Sequence, residues 1–176
     1  VIAASQLSIT ASRKLLLAAY QPKSSMVFCN TKKMVDELTE ALLGGGFKAV
    51  GLHGDMKQSQ RTQVMNSFKC GAVSILVATD VAARGIDVNG IDAVFNYDIP
   101  QDNEYYIHRI GRTGRAGHTG VAYTLVSGRR QLNELKDISR YTKAEITQME
   151  LPEKDDIIDI RLQSIKTDIT ELLSEN

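Results

Sequence analysis

What this chain has little of narrows it first. Cysteine appears only twice, as Cys29 and Cys70, with no close pair to suggest a metal site. Cys29 lies inside an apolar run and Cys70 beside a turn glycine, so both read as reduced thiols of a cytoplasmic protein. No apolar run approaches the roughly 20 residues that cross a bilayer. No charged stretch and small-residue cleavage site open the chain, so no secretory signal is expected. It begins at Val1 rather than Met, as expected of a piece cut from a longer protein or a processed product. Excess charge is missing too: 21 Lys and Arg offset 21 Asp and Glu. That argues against a histone-like or tail-driven binder of polyanions.

The balance is uneven along the chain, however. Residues 151–176 hold three basic and seven acidic residues, a net of −4, which leaves +4 on residues 1–150. Any polyanion contact must therefore come from a local patch in that first part. With 176 residues, 43% of them hydrophobic, the chain suits one domain with a real core plus a modest extension.

Within residues 1–150, short apolar runs alternate with amphipathic stretches. Strands are expected at Ser25–Cys29, Lys48–Leu52, Ser74–Ala78, Ala93–Asn96 and Val121–Val126, with weaker ones at Ser5–Ile9 and Glu145–Met149. Helices are expected at Lys32–Leu43 (apolar Val35, Leu38, Ala41 and Leu42), Ser59–Phe68 (Val64, Met65 and Phe68), Asn103–Ile110 and Arg130–Tyr141. Gly44-Gly45-Gly46 ends the first of these. Near-continuous apolar strands alternating with helices imply an α/β fold with a parallel sheet covered on both faces. Ligands of such sheets collect beyond the carboxyl ends of the strands, and the unusual residues cluster there, after Cys29, Leu52, Ala78 and Asn96. Residues 151–176 form a second region. Ile158, Leu162, Ile165, Ile169 and Leu172 make a narrow apolar seam on an acidic helix, which packs on its own domain or, across residues 155–173, serves a dimer or another partner.

The densest chemical signal is His108-Arg109-Ile110-Gly111-Arg112-Thr113-Gly114-Arg115. Arginine is rarely buried unpaired and glycine weakens a helix, so the segment makes sense if guanidinium and backbone groups converge on a polyanion. Arg112 and Arg115 are three apart and would share a face in a helical turn. A second signal is Ala78-Thr79-Asp80-Val81-Ala82-Ala83-Arg84-Gly85-Ile86-Asp87. Thr79 offers a hydroxyl and an amide at a strand end, Gly85 permits a tight bend, and Asp87 can accept from ribose hydroxyls. Asp80 and Asp87 also read as loop caps. In His53-Gly54-Asp55-Met56-Lys57-Gln58-Ser59-Gln60-Arg61, Gln58 and Arg61 share a face at a helix N-terminus. That end attracts anions, although such a pair also reads as solvated surface. In Ser25-Met26-Val27-Phe28-Cys29-Asn30-Thr31-Lys32-Lys33, Asn30 or Thr31 caps a helix whose amides, with Lys32, can approach a sugar-phosphate backbone.

In order and spacing these segments resemble the C-terminal-domain motifs of DEAD-box RNA helicases. FCNT is similar to motif IV, HGDMKQSQR to the Gln-x-x-Arg segment, ATDVAARGIDV to motif V and YIHRIGRTGRAG to motif VI. Asn96-Tyr97-Asp98-Ile99-Pro100 also matches, and the likeness spans roughly residues 5–150. It implies a RecA-like, doubly wound domain of a P-loop NTPase helicase. It also implies roles. Arg112 and Arg115 would be arginine fingers, and Asp87, with Gly85, His108 and Arg109, would serve the nucleotide. His108 and Arg109 would also couple the site to the RNA and to the first domain. Asn30, Arg61, Thr79, Arg84 and Gly85 would touch RNA, His53 would be structural and His118 solvated. The partners implied are single-stranded RNA or a short duplex and the N-terminal RecA-like domain. No Gly-x-x-x-x-Gly-Lys-Ser/Thr, Asp-Glu-Ala-Asp or Ser-Ala-Thr is present, so ATP and Mg2+ would be held mainly by that other domain, and this chain alone would not hydrolyse ATP. Rival readings are a stand-alone RNA-binding or scaffold module with vestigial motifs, and a DNA-directed helicase of the same superfamily.

Overall fold

The computed structural model of the chain describes residues 2–4, 22–88, 90–114 and 119–149. Among these, the elements in chain order are β1 (Ile2–Ala4), β2 (Ser25–Cys29), α1 (Lys32–Gly44), β3 (Ala49–Leu52), α2 (Gln58–Lys69), β4 (Ile75–Thr79), α3 (Asp80–Ala83), β5 (Ala93–Asn96), α4 (Asn103–Ile110), β6 (Val121–Leu125), α5 (Gly128–Thr142) and β7 (Thr147–Met149). The strands form one sheet in the order β3-β4-β2-β5-β6-β1-β7, and every pairing is parallel.

The chain leaves β2 for the β3 edge, returns through β4, then passes β2 to reach β5 on its other side. The direction of winding therefore reverses around β2, and the carboxyl ends of β4, β2 and β5 lie side by side. That reversal is where a doubly wound sheet opens a crevice.

Alternation on the strands shows which helix covers which face. On β3, a Cβ added at Gly51 would meet Val35 and Thr39 of α1 at 3.1 Å. Its neighbour Leu52 packs instead in a cluster with Val64 and Phe68 of α2, Met26, Phe28, Leu76 and Val94. The sheet is thus covered on both sides, as its apolar strands require. Burying each side chain of the size of Phe28 or Leu76 contributes about 1.5–3 kcal/mol. A second cluster joins Tyr106 of α4 to Leu135 and Ile138 of α5.

The caps follow from sequence. Thr31 takes the α1 N-cap, its hydroxyl accepting from the Met34 amide at 3.2 Å. The Gln60 side chain accepts from the Lys57 amide at 2.9 Å ahead of α2. Expected elements recur within a residue or two, and α4 has the expected bounds. Two readings change. The short strand added to the β6 edge is Ile2–Ala4, whereas the expected Ser5–Ile9 lies outside the described residues. The sequence reading also missed α3, a single turn too short to show periodicity. The expected helix of residues 151–176 lies outside the described residues, and no described helix is long and apolar enough to cross a membrane.

Candidate functional site

Arg109 stands where the three central strands end. It projects inward from α4 and is 1% exposed. Its Nε and one Nη2 hydrogen donate to the two carboxylate oxygens of Asp80, at 2.7 and 2.6 Å. Nη2 also donates to Asn30 Oδ1 at 2.9 Å. Nη1 donates to the Asp98 carbonyl at 2.6 Å and to Asn96 Oδ1 at 3.5 Å. A guanidinium has five N–H donors, and all five are committed here. The ring of Phe28 lies 5.2 Å from its Cζ. Asp80 follows β4, Asn30 follows β2, and Asn96 and Asp98 mark the end of β5. One buried cation thus ties three adjacent strand ends. Arg109, expected to serve the nucleotide and to couple the site to the RNA and the first domain, thus stands at this node with its five N–H groups engaged. Asn30 is similarly engaged: besides accepting from Arg109, its amide nitrogen donates to the Ile99 carbonyl at 2.8 Å.

Residues 80–87 are braced by two further arginines. Arg61 Nη2 donates to the Ala82 carbonyl at 3.1 Å, and Arg112 Nη1 to the Ile86 carbonyl at 2.9 Å. Thr79 Oγ1 accepts from the Ala82 amide at 3.4 Å and opens α3. Gly85 has φ +76°, a conformation that glycine adopts without strain, and it turns the chain toward Asp87.

Three cavities border this segment, one of them, of about 430 Å³, beside Asp102, Glu104, Tyr105 and Tyr141. Another, of about 280 Å³, is lined by Gln58, Arg61, Arg84, Gly85 and Asp87 among others. The remaining one, of about 270 Å³, is lined by Phe28, Asp80, Arg84, Tyr105, His108, Arg109 and Arg112. Arg84 borders all three. The sequence-derived residues Arg61, Arg84, Gly85, Asp87, His108, Arg109 and Arg112 are brought together on these walls. Thr79 and Asn30 stand behind them at the strand ends. Arg115 and His118 lie outside the described residues.

The turn carrying Arg112 is firmly attached. The Ile91 amide donates to the Arg112 carbonyl at 3.2 Å, and Thr113 Oγ1 donates to the Ile91 carbonyl. Gly111 ends α4 and Gly114 has φ +68°. The helical turn expected to align Arg112 with Arg115 is therefore broken before it reaches Arg115. Gly120 was not singled out from sequence, yet a Cβ there would stand 1.7 Å from Thr113 Oγ1 and 2.7 Å from the Gly114 amide nitrogen. Its only sequence signal is its place just ahead of an apolar strand.

Supporting polar groups are paired as well. The Tyr106 hydroxyl lies 2.9 Å from Thr124 Oγ1, which also accepts from Asn96 Nδ2 at 3.1 Å. Burial pushes the Tyr106 phenol above its ordinary value, against the smaller pulls of Thr124 and Arg109. His53 Nε2 sits 3.1 Å from Asp36, while its buried Nδ1 has no hydrogen-bond partner. The hydrogen bond from Lys32, at 2.5 Å, holds the Asp55 carboxyl below its ordinary value. Among the described residues no group of three or more His, Cys, Asp or Glu is placed to hold a metal ion.

An all-parallel sheet that presents arginines and glycine turns beyond its strand ends defines a RecA-like domain, and residues 8–117 match the family described as helicase conserved C-terminal domain. The DEAD-box ATP-dependent RNA helicase CshA of Geobacillus kaustophilus is 51% identical over 144 residues, covering 82% of this chain and 31% of that protein. The C-terminal domain of the DEAD-box protein Dbp5 matches 90% of this chain and 94% of its own, with a TM-score of 0.81 and 32% identity. The chain belongs to the DEAD-box RNA helicases, as their C-terminal RecA-like domain. It spans about a third of the length of the curated relatives it matches. Saccharomyces cerevisiae Dbp5 bound to RNA and ADP BeF3 is also similar, with a TM-score of 0.81 and 31% identity over 91% of this chain and 44% of that one.

Proposed function

We propose that this domain forms one wall of the catalytic cleft of an ATP-dependent, RNA-stimulated RNA helicase. In this reading Arg112 and Arg115 are arginine fingers toward a nucleotide seated chiefly on the N-terminal RecA-like domain. The observation that carries it is the placement of Arg112. Its backbone is held by Ile91 and its half-buried side chain stands at the rim of a cavity shared with Arg84 and His108. The lining fits an anionic phosphate, since the carboxylate present, Asp80, is already neutralised by Arg109. ATP supplies the phosphoryl group, and a finger that meets its developing charge is worth about 10³–10⁵ in rate. Asp87 accepts from the ribose, and His108 faces the other domain.

Arg61, Thr79, Arg84 and Gly85 hold the RNA sugar-phosphate backbone, with Asn30 orienting Arg109 behind them. ATP and Mg2+ are held mainly by the N-terminal domain, which would carry the phosphate-binding lysine and the metal carboxylates. Backbone contacts make RNA binding largely independent of sequence and sensitive to salt. Closure of the two domains on ATP and RNA bends one strand and parts short duplexes, and hydrolysis releases it. A chain with only two cysteines, Cys29 and Cys70, suits work in the cytoplasm.

Arg112→Ala in the intact enzyme is expected to lower RNA-stimulated ATP turnover by about 10³-fold or more, with the circular dichroism spectrum retained. Wild-type turnover by that variant refutes the finger assignment. A strand-displacement assay on matched duplexes tests the substrate class: RNA strands should be released, and equal release of DNA strands would favour a DNA-directed enzyme.

A further inference from the structure

The arginines of the cleft differ in what already holds them. Arg109 has every donor committed, and Arg61 and Arg112 each donate to a carbonyl of residues 80–87. Arg84 is exposed, and among the described residues its guanidinium makes no ion pair and no hydrogen bond. Its side-chain partner is the face of Tyr105, whose centroid lies 5.5 Å from Cζ. An aromatic face attracts the guanidinium through the plane and leaves the N–H edges, which carry its hydrogen bonds, uncommitted. Stacking is thus a way to fix the position of an arginine without using its donors.

The position so fixed is distinctive. Arg84 borders the cavity of Arg61, Gly85 and Asp87, the cavity of His108 and Arg112, and a third of about 430 Å³ containing Asp102, Glu104, Tyr105 and Tyr141. The third cavity is lined by two carboxylates, whereas the first sets Arg61, Lys69 and Arg84 against Asp87 and the second has its Asp80 paired with Arg109, so a phosphate is drawn to the Arg84 edge from those two sides. The backbone reinforces this placement: the Arg84 amide donates to the Asp80 carbonyl at 3.0 Å, the residue that anchors Arg109. Tyr105 lies on the exposed side of α4, three residues before His108 and seven before Arg112.

We infer that Tyr105 is a positioning residue that holds Arg84, donors outward, on the wall shared by the RNA and nucleotide sides of the cleft, so that RNA engagement depends on the Tyr105 ring. This rests on the function proposed above and names a residue beyond it. Arg84 would make the contact with the RNA backbone, while Tyr105 would touch neither ligand and act through Arg84.

The test uses the intact enzyme with single-stranded RNA as activator and reads the RNA concentration giving half-maximal ATP turnover separately from kcat. Tyr105→Leu keeps apolar bulk but removes the π face. It is expected to raise the half-maximal RNA concentration about two- to five-fold, the worth of an exposed cation–π contact, with the effect falling on KM for RNA rather than on kcat. Tyr105→Phe restores the wild-type value. In an Arg84→Ala background Tyr105→Leu should add nothing. An unaltered half-maximal concentration in Tyr105→Leu, failure of Tyr105→Phe to restore it, or a Tyr105→Leu effect that persists without Arg84 overturns the inference. These results are separable from failure of the underlying reading, which Arg112→Ala turning over like wild type would signal instead.

Discussion

A guanidinium carries five N–H groups, and what they already hold decides what else it can do. At Arg109 they hold Asp80, Asn30, Asn96 and Asp98, so this residue secures the strand ends. Removing one partner of a buried pair costs about 3–5 kcal/mol because the other charge is left uncompensated. Arg109→Ala is therefore expected to lower the unfolding free energy by that amount in urea denaturation, a large share of the 5–15 kcal/mol typical of a domain. Arg109→Lys offers three donors without the planar fork and should recover only part of it. Full stability of the alanine variant would show that the node contributes little. The sequence marked Arg109 but not the partners it holds. Its partners lie 11 to 79 residues away along the chain, and only the order of strands in the sheet brings them to one point. Arg112 was marked by the density of arginine and glycine around it, but its bond to the Ile86 carbonyl was not.

Among the elements, the turn after α4 does the positioning. Thr113 bonds to Ile91, Gly114 adopts a left-handed conformation, and Gly120 lies against both. Gly120→Ala would push a methyl group into the Thr113 side chain and the Gly114 backbone. Overpacking of this kind costs about 1–3 kcal/mol, and here it falls on the segment that carries Arg112. The variant is expected to melt lower and to lose ATP turnover together. Wild-type turnover from Gly120→Ala would mean that the turn tolerates displacement. No local pattern reveals this glycine, because its neighbours Thr113 and Gly114 are seven and six residues back along the chain. The strands and helices, by contrast, were legible from apolar runs and helical spacing, and failed only at α3, one turn long. Tyr106 gives α4 a pH dependence. Its folded pKa is raised by burial, so its contribution to stability is complete below the ordinary tyrosine value near 10 and is lost as pH climbs through the higher folded value. Stability measured by urea denaturation should fall more steeply in that alkaline range for wild type than for Tyr106→Phe. Parallel curves would assign the loss to other groups.

For the whole molecule, among the described residues the arginines and their polar partners gather at the carboxyl ends of the central strands. The parallel topology was legible from strand–helix alternation, and so was the gathering of unusual residues beyond the carboxyl ends of the strands. Which residues face outward there was not, because Arg84, Arg109 and Arg112 read alike as letters and differ only in their partners. The account treats this domain as half of a site: it lends arginines, and its partner domain lends the groups that hold ATP and metal. The most direct measurement is RNA-stimulated ATP hydrolysis by residues 1–176 alone beside the intact enzyme under the same conditions. The account predicts turnover by the intact enzyme and none above background by the isolated chain. Hydrolysis by the isolated chain at the intact rate would contradict it.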